Sequence, residues 1–159
     1  MVKILKKIAV LALFVLVILQ FFGPEKNIGD VSDLEPFIVE TKPSASVQEI
    51  LKVACYDCHS SNTRYPWYSN IEPISYWMND HVEHGKDELN FSEWSSYSTK
   101  RKDHKLEEII EEVEEGHMPI SSYTWTHGDA VLSEAQIKEL EDWVTDARAM
   151  YGLSKEKAH

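Results

Sequence analysis

Cysteine is scarce in this chain: two among 159 residues, at positions 55 and 58. Two cysteines allow one disulfide at most, and a structural zinc site needs four ligands. No second CxxC and no HxxxH supplies the missing pair. Positive charge is scarce as well. There are 16 Lys and Arg against 27 Asp and Glu, a net −11. The first 24 residues hold three of the basic side chains and none of the acidic ones, so residues 25–159 carry a net −14. That balance speaks against phosphate or nucleic acid as a partner. A basic patch on a protein partner and plain solubility are equally consistent with it. Internal repeats, low-complexity tracts and a convincing strand pattern are absent. The βαβ setting of a thioredoxin-like dithiol is therefore missing.

The length suggests one domain. Residues 1–24 stand apart. Lys3, Lys6 and Lys7 precede an apolar run from Ile8 to Phe22, interrupted only by Gln20, with no small-x-small cleavage site after it. The pattern predicts an uncleaved signal anchor, a transmembrane helix lengthened by snorkelling lysines. Lysines before the span place the N-terminus in the cytoplasm and the rest of the chain on the periplasmic face of a bacterial inner membrane. Residues 25–43, with Pro24 and Gly23 before them and Gly29, Pro36 and Pro43 within, read as a linker. The folded domain is expected over 44–152, followed by a tail at 153–159.

Within that domain the pattern is helical. "SVQE" reads as a capping box, with Ser46 at N-cap and Glu49 at N3, opening a helix whose apolar face is Val47, Ile50, Leu51 and Ala54. Ile74, Trp77, Met78, His81 and Val82 fit a short helix. Leu106, Ile109, Ile110 and Val113 mark another, with glutamates on a solvated face and Gly116 at its end. "SEAQ", Ser133 to Gln136, caps the last helix, whose buried stripe is Ile137, Leu140, Trp143, Val144 and Ala147. The five tryptophans read as core, one or two of them at a cofactor crevice.

The helix over 47–54 runs into "CYDCH". Two cysteines three apart with a histidine directly after the second form the attachment signature of c-type haem. Each thiol adds to one haem vinyl group, and the spacing reaches both vinyls from one helical turn. The next residue then projects over the macrocycle. Cys55 and Cys58 are predicted to hold one covalent haem c, and His59 to bind its iron. For the sixth ligand the sequence offers Met118, Met78, His81, His84, His117, His127 and Met150. Met118 is best placed, between helix-ending Gly116 and Pro119, which biases it to extended backbone. His81, on an apolar helix face, is the alternative. His84 is expected nearer solvent, His117 pointing away from Met118, and His127 in a capping or second-sphere role.

Three stretches, "CYDCHSSNTRYPWYSNIEPISYW", "HVEHGKDELNFSEW" and "EEGHMPISSYTWTHGDAVLSEAQIKELEDW", resemble the small haem-binding domain family of bacterial membrane-anchored, cytochrome-like proteins. The resemblance runs from about Phe37 to Met150. It implies an all-α, cytochrome c-like domain around a covalent haem. The family usually has arginine where Lys86 stands, a position suited to a haem propionate, and its pattern includes His81 and His127. The layout is similar to monohaem cytochrome c, with a Met-Pro loop closing the second face of the haem. The function expected is a membrane-anchored electron carrier with redox protein partners. The alternative is a haem sensor or peroxidase-like enzyme with an open distal site, where His81 or His127 supplies an acid or base.

Overall fold

A computed structural model of the chain describes residues 1–152; the tail expected at 153–159 lies outside the described residues. Among the described residues eight α-helices follow one another: α1 (Val2–Leu19), α2 (Glu35–Thr41), α3 (Ala45–Ala54), α4 (Tyr56–His59), α5 (Ile74–Glu88), α6 (Thr99–Glu114), α7 (Ser121–Thr124) and α8 (Glu134–Ala149). Short 3-10 turns at Val31–Leu34, Trp67–Asn70, Phe91–Ser96 and Gly128–Ala130 join them. The extended pairing among the described residues is a single bridge, Ile28 to Asn62.

The all-α class is as expected, but the transmembrane anchor is not. Lys3, Lys6 and Lys7 lie inside α1. Its uncharged part, Ile8 to Leu19, rises only ~18 Å at ~1.5 Å per residue, against a hydrocarbon core of ~30 Å. The helix stops at Gln20, whose side chain donates to Leu16 O and Glu72 O and accepts from Glu72 N. No helix among the described residues is long and apolar enough to cross a membrane. The single-pass inner-membrane anchor is overturned, and the periplasmic location loses the anchor from which it was derived.

The local signals explain most of the other elements. α3 starts two residues earlier than the sequence suggested. Ser44 is the N-cap and accepts from Val47 N, while Ser46 Oγ donates to Glu139. The Ser133–Gln136 capping box on α8 is present in both directions. α6 begins at Thr99, capped by Ser98, and Gly116 takes the left-handed φ of 73° that ends it. α6 packs on α8, and Arg148 joins them by ion pairs to Asp103 (2.9 Å) and Glu107 (3.2 Å).

The 25–43 stretch is not a free linker. α2 drives Phe37 into the centre of the core, fully buried. Its ring meets Phe91 at 4.6 Å, Trp94 at 5.1 Å and Trp143 at 5.9 Å. Trp143 Nε1 donates to Thr41 O (2.9 Å), tying α8 to the end of α2. Only Trp94 and Trp143 are core tryptophans. Trp67, Trp77 and Trp125 are exposed.

Glu40 on α2 receives Lys102 Nζ at 2.7 Å and the Tyr151 hydroxyl at 2.7 Å. Burial alone would raise its carboxyl, but those two hydrogen bonds and the lysine's charge outweigh burial and hold it below the usual value. A depressed carboxylate stabilises the fold above its unfolded pKa and loses that contribution as pH falls through the folded one. Glu40→Gln is therefore expected to cost ~1 kcal/mol at pH 7. The gap should begin to narrow as pH falls below ~4.3 and close once pH is below the depressed folded-state value, as read from urea midpoints across that range.

Candidate functional site

The signature sits where α3 gives way to one further turn. Cys55, at φ −124°, breaks α3, and α4 turns back so that Cys58 N and His59 N both donate to Cys55 O (3.2 and 3.0 Å). The two intervening side chains anchor this turn to the body. Tyr56 is buried edge-on against Phe91 at 5.5 Å. Asp57 is 5% exposed, and its carboxylate accepts from Arg64 N (3.0 Å), Arg64 Nε (3.1 Å), Arg64 Nη2 (3.0 Å) and the Tyr123 hydroxyl (2.7 Å). Tyr56 faces the core and Asp57 is held by its bonds at the edge of the second cavity, while Cys55, Cys58 and His59 line the cleft.

That cleft consists of two adjoining cavities, of about 250 Å³ and about 360 Å³, within the ~300–1,000 Å³ of ligand sites when taken together. Cys55 lines the first, Cys58 the second, and His59 and Met118 line both. The first is otherwise mostly apolar, with Leu89, Phe91, Ile109, Val113 and Leu132. The structure thus brings together the four residues on which the sequence reading converged. His81 lies on the second cavity alone, with His84 and Asp80; its Nδ1 donates to Trp77 O at 2.7 Å.

His59 is held as a metal-binding imidazole should be. Its Nδ1–H donates to Leu89 O at 3.0 Å, which fixes the tautomer and leaves Nε2 with a free lone pair. Burial lowers its pKa, partly offset by hydrogen bonds to Leu89 and Gly85 carbonyls, so the ring is neutral at pH 7. Gly85 of α5 makes this possible. A Cβ there would stand 2.6 Å from Cys58 O, so only glycine lets α5 reach the motif.

Met118 reaches the cleft through the end of α6. The N–H groups of His117 and Met118 both donate to Glu112 O (2.9 and 3.0 Å). His117 turns to Glu112 and Glu115 at the surface. His127 stacks on Tyr123 at 4.1 Å. Met150 is 48% exposed. Lys86, in the propionate position of the resemblance, lies on neither cavity and donates to Asn27 Oδ1 at 3.1 Å. Lys105, which the sequence reading did not single out, lines the first cavity, paired with Glu108 (2.6 Å) and Glu88 (3.6 Å). Two of the α6 glutamates, Glu108 and Glu112, border that cavity, while Glu112 also remains exposed at the surface. Asp57 and Gly85 also went unread. Asp57 carried a legible signal, a carboxylate between the two cysteines. Leu89 acts through its backbone carbonyl and carried none.

The electrostatics weigh against a redox-active dithiol. Both thiols are free. Burial first, and then neighbouring negative charge, pushes Cys55 to about 12 and Cys58 to about 11. A redox-active dithiol needs its thiol pKa lowered. Among the described residues, no group of three or more His, Cys, Asp or Glu is placed to hold a metal ion on its own. The largely apolar first cavity, lined by Cys55, an imidazole and a thioether and adjoining the one lined by Cys58, suits a large flat apolar group.

A family model described as a haem-binding domain matches residues 14–146. The chain belongs to the haem-binding domain family. No curated protein and no solved structure matches it. In this haem-binding domain the geometry around His59 and the family agree on the cofactor.

Proposed function

We propose that this haem-binding domain is a monohaem c-type electron carrier. Cys55 and Cys58 would hold the haem through thioether links to its two vinyl groups, and His59 Nε2 and the Met118 thioether would be the groups offered to its iron. The observation that carries the reading is the His59 Nδ1 bond to Leu89 O, which aims a free Nε2 into the cleft shared by Cys55, Cys58 and Met118. Haem supplies the one-electron couple, and His/Met ligation favours a higher potential than two histidines. The chain's part is to hold the iron between two fixed ligands in an apolar cleft, so that little moves when an electron passes. Asp80, Glu88, Glu108 and Glu112 around the cleft favour a redox partner with a basic docking face.

A second reading, a haem sensor or peroxidase-like enzyme, has one observation in its favour. Met118 is 36% exposed, and polar His81, His84 and Asp80 line the cavity beside it. One experiment separates them. Produced with cytochrome c maturation, the protein should retain its haem through denaturation and show the weak near-infrared ferric band of sulfur ligation. Met118→Ala should lose that band, lower the potential and bind carbon monoxide rapidly, while His81→Ala should leave all three unchanged. Rapid carbon monoxide binding by the unmodified ferrous protein would favour the sensor or enzyme.

A further inference from the structure

Asp57 is more heavily bonded than a helix turn requires. Four donors converge on a carboxylate whose side chain is 6% exposed. One of them comes from a distant part of the chain. Tyr123 lies on α7, five residues after Met118, and its hydroxyl also contacts Val53 O at the end of α3 (3.1 Å). Arg64 Nη2 reaches the same carbonyl at 3.3 Å. Burial, followed by the hydrogen bond to Asp57, holds the Tyr123 phenol far above its usual range, so it remains a donor. The Tyr123 ring lines the second cavity with Cys58 and His59 and stacks on His127. This contact ties the segment carrying Met118 to the turn carrying the cysteines. Charged hydrogen bonds in a desolvated setting are strong and directional, and removing one partner leaves a buried charge exposed to its full desolvation cost.

We propose that Asp57, Arg64 and Tyr123 form a clamp that sets the position of Met118 relative to His59, making Tyr123 a positioning residue for the distal ligand. The proposal rests on the reading that Met118 binds the iron. Met118 lies on a short segment, residues 117–123, that borders the second cavity. Its far end is held through the Tyr123 hydroxyl, whose shortest bond, 2.7 Å, is the one to the Asp57 carboxylate, with Val53 O at 3.1 Å and Arg64 Nη2 at 3.3 Å. Losing that bond frees Met118 without touching Cys55, Cys58 or His59.

The test uses the haem-loaded full chain and Tyr123→Phe, which keeps the ring and removes the hydroxyl. Tyr151→Phe is the matched control, because it removes another tyrosine–carboxylate bond of 2.7 Å, to Glu40, away from the cleft. Ferrous carbon monoxide binding should become about tenfold faster in Tyr123→Phe, the factor expected for loss of one hydrogen bond to a charged group. The ferric sulfur-ligation band should weaken, with covalent haem content unchanged. Tyr151→Phe should show neither change. Asp57→Asn, which keeps an acceptor but not the charge, should move both readouts in the same direction if Tyr123→Phe proves too poorly folded to measure. An unchanged rate and band in both cleft variants, or equal acceleration in Tyr151→Phe, overturns the clamp while Met118 ligation stands. A parent protein without the sulfur band, and indifferent to Met118→Ala, overturns both.

Discussion

Cys55→Ala combined with Cys58→Ala is expected to yield a chain with no covalent haem and little residual stability. The cleft between α4, α5 and α6 is a void the protein cannot fill with its own side chains. By the cavity relation of ~24 cal/mol per Å³, the 250 Å³ first cavity alone corresponds to ~6 kcal/mol. The cleft opens to water, so that figure is a ceiling. Even half of it is a large share of the ~5–15 kcal/mol that domains of this size possess. The double variant retains His59, so haem binds reversibly and is extracted by acid solvent, unlike the parent's. Mass spectrometry after denaturation reads the attachment, and urea unfolding followed by circular dichroism reads the stability. An unfolding midpoint equal to that of the haem-bearing parent would show that the cofactor does not complete this core.

The parts of the fold legible in the sequence were those where one residue decides local geometry. Gly116 ends α6 because only a left-handed residue satisfies the exposed carbonyls there. The Ser133–Gln136 box starts α8 because both partners sit on one turn. The "CYDCH" spacing places Cys55, Cys58 and His59 around one cleft for the same local reason. What the sequence hid depends on tertiary contacts. α2 has seven residues and Phe37 as its one fully buried apolar side chain, too short for any periodicity to show. The anchor was misread because composition counted Lys3, Lys6 and Lys7 as a flank, while helix formation drew them into α1. The glutamates of α6 were read as one solvated face, and Glu108 and Glu112 also border the cleft, a contact that depends on the placement of other elements and leaves no mark in the periodicity. Asp57 was invisible as a clamp because its partner Tyr123 is 66 residues away.

Gly85→Ala is a sharp test of how tightly the motif is held, because two physical effects oppose each other there. On a free helix, alanine is favoured over glycine by ~1 kcal/mol, and α5 is helical on both sides of Gly85. Here the new methyl would stand 2.6 Å from Cys58 O, 3.0 Å from Cys58 Cβ and 3.1 Å from Cys58 C. Two of these three atoms are backbone, so no rotamer change relieves the clash, and α4 must move away from α5. That movement carries Cys58 and His59 with it. It also strains the His59 bond to Leu89 O, because Leu89 follows α5 directly and its own N–H is fixed to Gly85 O at 2.9 Å. Overpacking of this kind costs ~1–3 kcal/mol, enough to reverse the helix-propensity gain. The variant is therefore expected to lower the urea midpoint, reduce the yield of attached haem and alter the haem spectrum together. Gly128→Ala is the contrasting case: a Cβ there meets nothing within 4 Å, so its midpoint should hold or rise. If Gly85→Ala behaved like Gly128→Ala, α5 would not be pressed against the attachment turn, and the orientation of His59 would need another cause.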